Sequence, residues 1–237
     1  MSGTRPRAAW IKICGMTTPE AVEAALAARV DAVGFVFSPS LRQLTPEAAA
    51  RLASPARGRA LCVAVTRHPD QTLLDDIVAR FAPDLWQSDW EDLALLRVPQ
   101  SLGVLPVLRC SVGTPPASPP AARTAMLPST AASPRPSSLP ARLLFEGPVS
   151  GAGEACDWSS ARQLAQRSEL ILAGGLDAES VAAAIAAVEP FGVDVSSGVE
   201  AHPGIKSAEK IVRFAAAARA AFGDGHGAHV FKQEHFR

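Results

Sequence analysis

Tyrosine is absent from this chain of 237 residues, and aromatic residues together make up only 5% of it. No tyrosine can therefore serve as an acid or a base, and the core must be built mainly from Val, Leu, Ile and Ala. An excess of either charge is also missing, because 23 Lys and Arg balance 23 Asp and Glu. The composition thus excludes a basic arm for nucleic acid and an acidic tail.

Long apolar segments and closely spaced cysteines are missing as well. Apolar runs such as Leu143 to Phe145 and Leu170 to Ala173 fall far short of the roughly 20 residues that a membrane-spanning helix needs. The first residues lack the apolar region of a signal peptide, so we expect a cytoplasmic protein with no membrane partner. The four cysteines lie far apart, which argues against disulfides and a zinc site and predicts free thiols without a bound metal.

The hydrophobic fraction of 48% is large enough for an extensive core. Short apolar runs alternate with helical patterns, which is typical of repeated βα units around a parallel sheet. The predicted strands are eight in number and span Trp10 to Ile13, Ala32 to Phe37, Ala60 to Val65, Asp84 to Trp86, Val104 to Leu108, Arg142 to Phe145, Leu170 to Ala173 and Val193 to Val195. This favours the α/β class and a single closed (β/α)8 TIM barrel over residues 1–222, since that fold typically takes about 250 residues.

Helix starts are marked by residues whose side chains can cap a helix. Thr18 and Thr45 each precede a Pro-Glu pair, which places a hydroxyl cap before a proline in the first turn. Asp177 and Ser207 begin two further helices by the same reasoning.

Two segments break the βα pattern. Residues 113–140 contain eight prolines, so we expect an irregular Pro- and Ser-rich crossover in place of helix five, with at most one short helix over residues 121–126. Residues 223–237 are rich in Gly and His and lack periodicity, which predicts a flexible C-terminal tail outside the barrel.

The chemistry of such a barrel belongs at the carboxyl ends of its strands. Cys14 follows the first predicted strand, before a helix whose N-terminal partial charge would favour the thiolate. Glu146 follows strand six beside a glycine-rich loop, where burial would keep a carboxyl group protonated for general acid catalysis. Taken alone, a cysteine in this place is more often a small buried residue, and the glutamate more often a solvated one.

Small residues follow the last two predicted strands. Gly174-Gly175 and Ser197-Gly198 would let backbone N–H groups approach an anion closely, and barrels often bind phosphate after strands seven and eight. Arg42 lies in the loop after strand two, where a guanidinium group could hold a substrate carboxylate through two hydrogen bonds. Considered separately, these residues would be ordinary glycine turns and a solvated arginine.

Five motifs occur in a fixed order along the chain: KICGMT, DAVGFVF, LAGGL, PFGVDVSSGVE and PGIK. Together they resemble the phosphoribosylanthranilate isomerase family of tryptophan biosynthesis, from about Ile11 to Ala220. The resemblance implies a (β/α)8 barrel that converts N-(5-phosphoribosyl)anthranilate into 1-(2-carboxyphenylamino)-1-deoxyribulose 5-phosphate by an Amadori rearrangement. It also implies a small-molecule substrate as the partner, no metal or organic cofactor, and a monomer or homodimer.

The same resemblance assigns roles to individual residues. Cys14 matches the general base that takes a proton from the second sugar carbon, and Glu146 stands where the family usually has an aspartate as general acid. Arg42 matches the arginine that holds the anthranilate carboxylate, and Asp194 a polar residue that positions the substrate. The residues that match the phosphate-binding loops are Gly153, Gly174, Gly175, Ser197 and Gly198. Glu154 and Asp157 are reserve candidates for the acid.

The middle of the chain departs from the family pattern. Where strand four usually continues as QLHG, this chain has Gln87-Ser88-Asp89-Trp90, and where strand three usually ends GVFVN it has Cys62-Val63-Ala64-Val65-Thr66. Two other functions are therefore open: a related sugar-phosphate isomerase acting on a different amine, and a catalytically silent barrel that keeps the phosphate site. Glu146 distinguishes an active isomerase from the silent barrel, because a silent binder needs no carboxyl group near the ring oxygen of the substrate.

Overall fold

The computed structural model of the chain describes residues 9–110, 139–147 and 157–223. Its strands pair in parallel and in chain order, and the first pairs with the last, which confirms the closed (β/α)8 barrel. The barrel strands are Trp10–Cys14 (β1), Ala32–Val36 (β2), Leu61–Val65 (β3), Leu85–Asp89 (β4), Gly103–Arg109 (β5), Arg142–Glu146 (β6), Glu169–Leu172 (β7) and Gly192–Val195 (β8).

Helices connect the strands over the described part of the chain. They are Pro19–Ala27 (α1), Pro46–Ala53 (α2), Gln71–Arg80 (α3), Trp90–Leu93 (α4), Trp158–Ala165 (α5), Val181–Val188 (α6) and Ala208–Phe222 (α7). A small antiparallel pair, Glu200–His202 (β9) and Ile205–Lys206 (β10), lies between β8 and α7. Nearly all of the proposed 113–140 crossover, including the short helix at 121–126, lies outside the described residues, as does the tail beyond Gly223. None of the described helices is long and apolar enough to cross a membrane.

Three of the four predicted helix starts follow the capping pattern read from the sequence, whereas α6 begins only at Val181, without a side-chain cap, and not directly after Asp177. Thr18, Thr45 and Ser207 each accept a hydrogen bond from a backbone N–H in the first turn of the helix that follows. Asp70 caps α3 in the same way and accepts from Leu73 N at 2.7 Å. Such caps satisfy N–H groups that have no partner within the helix.

The barrel interior is built from alternate residues of each strand, since successive side chains of a strand point to opposite faces. An inner apolar cluster consists of Trp10, Ala32, Leu61, Val63, Leu85, Leu105, Val107, Leu144, Ile171 and Ala173. The outward-facing residues of the same strands pack against the helices in a second, larger cluster. Toward the carboxyl ends, the inner face becomes polar, with Gln87 after Leu85 and Glu146 after Leu144.

Strand β4 is longer than the sequence predicts. The prediction ends it at Trp86, whereas the strand continues through Gln87 and Ser88 to Asp89 and pairs with β5 along its whole length. These polar residues are buried because they belong to the barrel mouth. A pattern search that equates strands with apolar residues therefore stops too early.

The cap at Asp70 provides a test of local stability. We expect Asp70→Ala to lower the free energy of unfolding by about 1 kcal/mol, because the N–H group of Leu73 loses its acceptor. Asp75→Ala is the matched control: Asp75 is exposed in the same helix and, among the described residues, accepts only from Gln71 Nε2, so its loss should cost well under ~0.5 kcal/mol. Urea denaturation of both variants measures the difference, and equal losses would contradict the cap.

Candidate active site

A cavity of about 200 Å³ opens at the carboxyl ends of the barrel strands. Seven of the nine site residues chosen from the sequence line it: Cys14, Arg42, Glu146, Gly174, Gly175, Asp194 and Ser197. Gly198 does not line it, and Gly153 lies outside the described residues. Residues far apart in the chain thus converge because every parallel strand ends at the same rim of the barrel.

Cys14 is the last residue of β1 and is only 8% exposed. Burial raises the pKa of its thiol, and the nearby charge of Lys12 offsets this only in part. The expected help from a helix N-terminus is not found, because α1 begins only at Pro19 and the amide groups of Gly15 and Met16 donate to Gly34 O. Burial thus favours the neutral thiol, whereas the charges of Lys12 and Lys206 favour the thiolate.

Lys12 and Asp194 form an ion pair in the wall beside Cys14. Lys12 Nζ donates to Asp194 Oδ1 at 2.9 Å, and Lys12 is fully buried. Burial alone would disfavour the charge on Lys12, but Asp194 and Cys14 more than compensate and raise the pKa of Lys12. The wall behind the cavity thus contains a buried cation next to the thiol, held by the carboxylate that the sequence identified.

Arg42 extends from the loop after β2 and is held by Glu200. Its Nε and Nη2 donate to the two oxygens of the Glu200 carboxylate at 2.7 and 2.9 Å, and Lys206 Nζ donates to the same group at 2.8 Å. Burial alone would raise the pKa of Glu200, but the hydrogen bonds from Arg42 and Lys206 lower it to about 2. One edge of the guanidinium group is therefore fixed, which aims Arg42 at the cavity that it lines.

The loops after β7 and β8 meet at one side of the cavity. Gly174 and Gly175 have φ values of +90° and +64°, which side chains other than glycine rarely adopt. Within the described ranges, no residue accepts a hydrogen bond from the N–H groups of Gly174, Gly175 or Ser197. These N–H groups are available to an anion.

Gly198 does not line the cavity, and its lack of a side chain is required for packing. A Cβ atom on Gly198 would lie 1.9 Å from the carbonyl oxygen of Leu176, so only glycine lets the β8 loop pack against the β7 loop. Gly198 thus holds the two loops together, and a larger residue there would disturb the packing as well as any anion.

Glu146 ends β6 and is only 8% exposed, so it is not a solvated loop residue. Its Oε1 lies 3.4 Å from Nη1 of Arg109 at the end of β5. The reserve acid Asp157 instead caps α5, where hydrogen bonds from Ser160 and Ser159 lower its pKa to about 2. An exposed carboxylate of that kind is a poor proton donor, and Glu154, the other reserve candidate, lies outside the described residues.

One group of side chains has the spacing of a metal site. His68, Asp89 and Asp92 place ligand atoms within 4.8 Å of one another. However, Arg109 Nη2 donates to Asp89 Oδ1 at 2.6 Å, and His68 and Ser88 hold Asp92. Since these partners already balance the carboxylates, we assign no metal to the group.

Sequence reasoning missed three residues of the site: Lys12, Glu200 and Lys206. Each lies in a motif that was recognised, KICGMT, SSGVE or PGIK. Lys12 could have been found because it is two residues before Cys14 and so faces the same side of β1. The Arg42–Glu200 contact joins residues 158 positions apart, and no local pattern indicates it.

The pKa of Glu200 predicts how stability depends on pH. Its folded value of about 2 lies below the ordinary 4.5, so the stabilisation is complete above about pH 4.5 and is lost as the pH falls toward 2. We expect the wild type to lose about 2 kcal/mol more unfolding free energy than Glu200→Gln between pH 6 and pH 2. Urea denaturation across this range measures it. Glu179→Gln, which removes an exposed partner of Arg213, should follow the wild type, and parallel curves for Glu200→Gln would refute the assignment.

Comparison with known proteins gives a consistent family. A family model described as N-(5'phosphoribosyl)anthranilate (PRA) isomerase matches residues 129–217. The chain is 39% identical over 224 residues to the N-(5'-phosphoribosyl)anthranilate isomerase of Azorhizobium caulinodans, covering 89% of this chain and 92% of that protein.

Solved structures of similar proteins indicate the same family. TrpF from Jonesia denitrificans matches with a TM-score of 0.68 and 31% identity, over 90% of this chain and 98% of that one. A phosphoribosyl anthranilate isomerase in complex with reduced 1-(o-carboxyphenylamino)-1-deoxyribulose 5-phosphate matches with a TM-score of 0.66 and 26% identity, over 90% and 100% of the two chains. The chain therefore belongs to the phosphoribosylanthranilate isomerase family.

Proposed function

We propose that Cys14 and Glu146 are the base and the acid with which this isomerase converts N-(5-phosphoribosyl)anthranilate into 1-(2-carboxyphenylamino)-1-deoxyribulose 5-phosphate, a step of tryptophan biosynthesis. The observation that carries the proposal is that both groups line one cavity together with the glycine loops after β7 and β8. A thiol and a carboxyl group on different walls of a small cavity can act on different atoms of one sugar.

Glu146 acts first in this proposal. Its carboxyl group donates a proton to the ring oxygen of the ribose, and the bond between that oxygen and C1 breaks. The lone pair of the amine nitrogen forms a double bond to C1, so ring opening leaves a protonated imine and a Glu146 carboxylate. Burial of Glu146 favours the protonated form that this step requires.

Cys14 acts second. As a thiolate it takes the proton from C2, and the C–H electron pair forms a C1–C2 double bond while the imine electrons return to nitrogen. The resulting enolamine gains a proton at C1 and loses one from the C2 hydroxyl group, which gives the ketone. The buried ammonium group of Lys12 stabilises the thiolate needed for this step.

The two ends of the substrate meet different elements. The free N–H groups of Gly174, Gly175 and Ser197 suit the phosphate, since a backbone cradle binds an anion without a charged side chain. By resemblance, Gly153 completes this cradle, and Gly198 supports it by packing. The open edge of Arg42 suits the anthranilate carboxylate, because its other edge is held by Glu200.

The proposal also covers the domain organisation, the cellular location and the oligomeric state of the enzyme. We infer one barrel domain over residues 1–222 with a C-terminal tail over 223–237, acting in the cytoplasm on a small-molecule substrate as a monomer or homodimer. A solved structure that is 26% identical is described as monomers generated from the dimeric phosphoribosylanthranilate isomerase of Thermotoga maritima, so both states are described for that relative.

Replacing the base tests the first assignment. Cys14→Ala should lower kcat by about 10² to 10⁴-fold while the affinity for a reduced product analogue changes only a few fold, since proton removal occurs in the transition state. Loss of substrate fluorescence measures turnover. Cys62→Ala is the matched control, because Cys62 is buried in the outer core away from the cavity; near wild-type kcat in Cys14→Ala would exclude the thiol as base.

Replacing the acid tests the second assignment. Glu146→Gln keeps the shape of the side chain but cannot donate a carboxyl proton, so kcat should fall by about 10²-fold or more and the bell-shaped pH profile of kcat/KM should lose one limb. Both limbs belong to the Cys14–Glu146 pair as macroscopic values, because either group can have the higher pKa. Glu146→Asp should be more active than Glu146→Gln. Full activity of Glu146→Gln, with Asp157→Asn inactive, would move the acid to α5.

A further inference from the structure

Three charged side chains meet at the ends of neighbouring strands on one side of the cavity. Asp89, Arg109 and Glu146 are the last residues of β4, β5 and β6. Arg109 is paired in register with Glu146, and its guanidinium group lies between the two carboxylates. Its Nη2 is 2.6 Å from Asp89 Oδ1, and its Nη1 is 3.4 Å from Glu146 Oε1.

All three side chains are shielded from water. Their exposed fractions are 5% for Asp89, 18% for Arg109 and 10% for Glu146, so their charges interact strongly with one another. Asp89 lies in the segment that departs from the QLHG pattern of the family.

Among the described residues, the guanidinium group of Arg109 has a hydrogen-bond acceptor on one side only. Nη2 has its hydrogen bond to Asp89, whereas Nε and Nη1 are buried and have no hydrogen-bond partner among the described residues. Leaving such donors unpaired costs free energy. The charge of Nη1 faces Glu146 at ion-pair distance without the alignment of a hydrogen bond, so the contact can tighten when Glu146 becomes a carboxylate.

We propose that Arg109, fixed by Asp89, is the positioning residue of Glu146: it orients the carboxyl group toward the cavity and stabilises the carboxylate that remains after proton donation. The proposal rests on the acid role of Glu146 given above. Asp89 has two effects in it, because it holds the guanidinium group in place and offsets part of its positive charge.

The electrostatics give the two partners opposite effects on Glu146. A guanidinium group close to a carboxyl group favours its ionised form, and a second carboxylate favours its protonated form. Among the described residues, the other charged or ionisable neighbours of this group are Arg67 and His68, which lie 3.5 and 3.7 Å from Asp89 Oδ2, and Asp92, whose carboxylate lies within 4.8 Å of Asp89. Across the cavity are Cys14 and the Lys12–Asp194 pair, which remain unchanged in the variants below.

The direct test follows the protonation of Glu146 itself. Protein labelled with ¹³C at the glutamate side-chain carboxyl carbon is titrated by NMR, and the signal of Glu146 is identified by its loss in Glu146→Gln. Arg109→Gln should raise the titration midpoint of Glu146 by about one pH unit or more, and Asp89→Asn should lower it by a similar amount. Arg109→Lys, which keeps the charge, should leave the midpoint within about half a unit of the wild type.

Kinetic measurements provide the second test of the positioning role of Arg109. The limb of the kcat/KM profile that Glu146→Gln removes should move with the NMR midpoint, and kcat should fall by about 10-fold or more in Arg109→Gln because the carboxyl group is no longer oriented. Arg213→Gln is the matched control, since Arg213 forms an exposed ion pair on α7, and it should change neither reading. A purely structural role would lower activity equally at every pH and leave the midpoint in place.

The outcomes separate this proposal from the one it rests on. An unmoved midpoint in both Arg109→Gln and Asp89→Asn, or shifts in the same direction, would overturn the positioning role, as would a raised KM with an unmoved midpoint. Full turnover by Glu146→Gln would instead overturn the acid role of Glu146, while the NMR titration still decides whether Arg109 controls that carboxyl group. If Arg109→Gln does not fold, the opposite shift in Asp89→Asn and the wild-type midpoint in Arg109→Lys decide the question.

Discussion

The ion pair between Lys12 and Asp194 joins the first and last strands of the barrel. The two residues are register partners across the β1–β8 pair, so the contact lies where the sheet closes on itself. A buried lysine is costly unless a carboxylate compensates it, and each partner therefore requires the other. Because Cys14 is two residues beyond Lys12 on the same strand face, the closure of the barrel and the chemistry of the thiol depend on one interaction.

A second charged network consists of Arg42, Glu200 and Lys206, and here too a carboxylate holds cations in place. Glu200 binds the guanidinium group, an ammonium group and the backbone N–H of Gly204. A long arginine side chain in a loop would otherwise sample many rotamers, and fixing one edge lowers the entropy lost when substrate binds. Both networks therefore prepare a cation in a defined place before the substrate arrives.

The sequence predicted most of this fold and seven of the residues that line the cavity, for reasons that particular residues make clear. The apolar strands and the caps at Thr18, Thr45 and Ser207 are local patterns, and they were predicted correctly. The polar end of β4 was missed because buried polar residues at a barrel mouth resemble a loop. The raised pKa of the Cys14 thiol depends on burial and on Lys12, and such effects appear only when distant strands are brought together.

The distribution of charge around the cavity limits how the substrate can be held. Lys12, Arg42 and Lys206 are each paired with a carboxylate on the β1 and β8 side, and Arg109 is paired on the β4 to β6 side. The substrate carries a carboxylate and a phosphate, yet Lys12 is compensated by Asp194, and Arg42 and Lys206 share the single carboxylate of Glu200. In the proposed site, one net positive charge remains beside Arg42, and the anions are otherwise recognised by geometry, through the N–H groups of the glycine loops and the remaining edge of Arg42. Free cations would attract any anion, whereas preorganised donors bind an anion only at the right distance and orientation. The pairing that stabilises the barrel thus also makes the site selective.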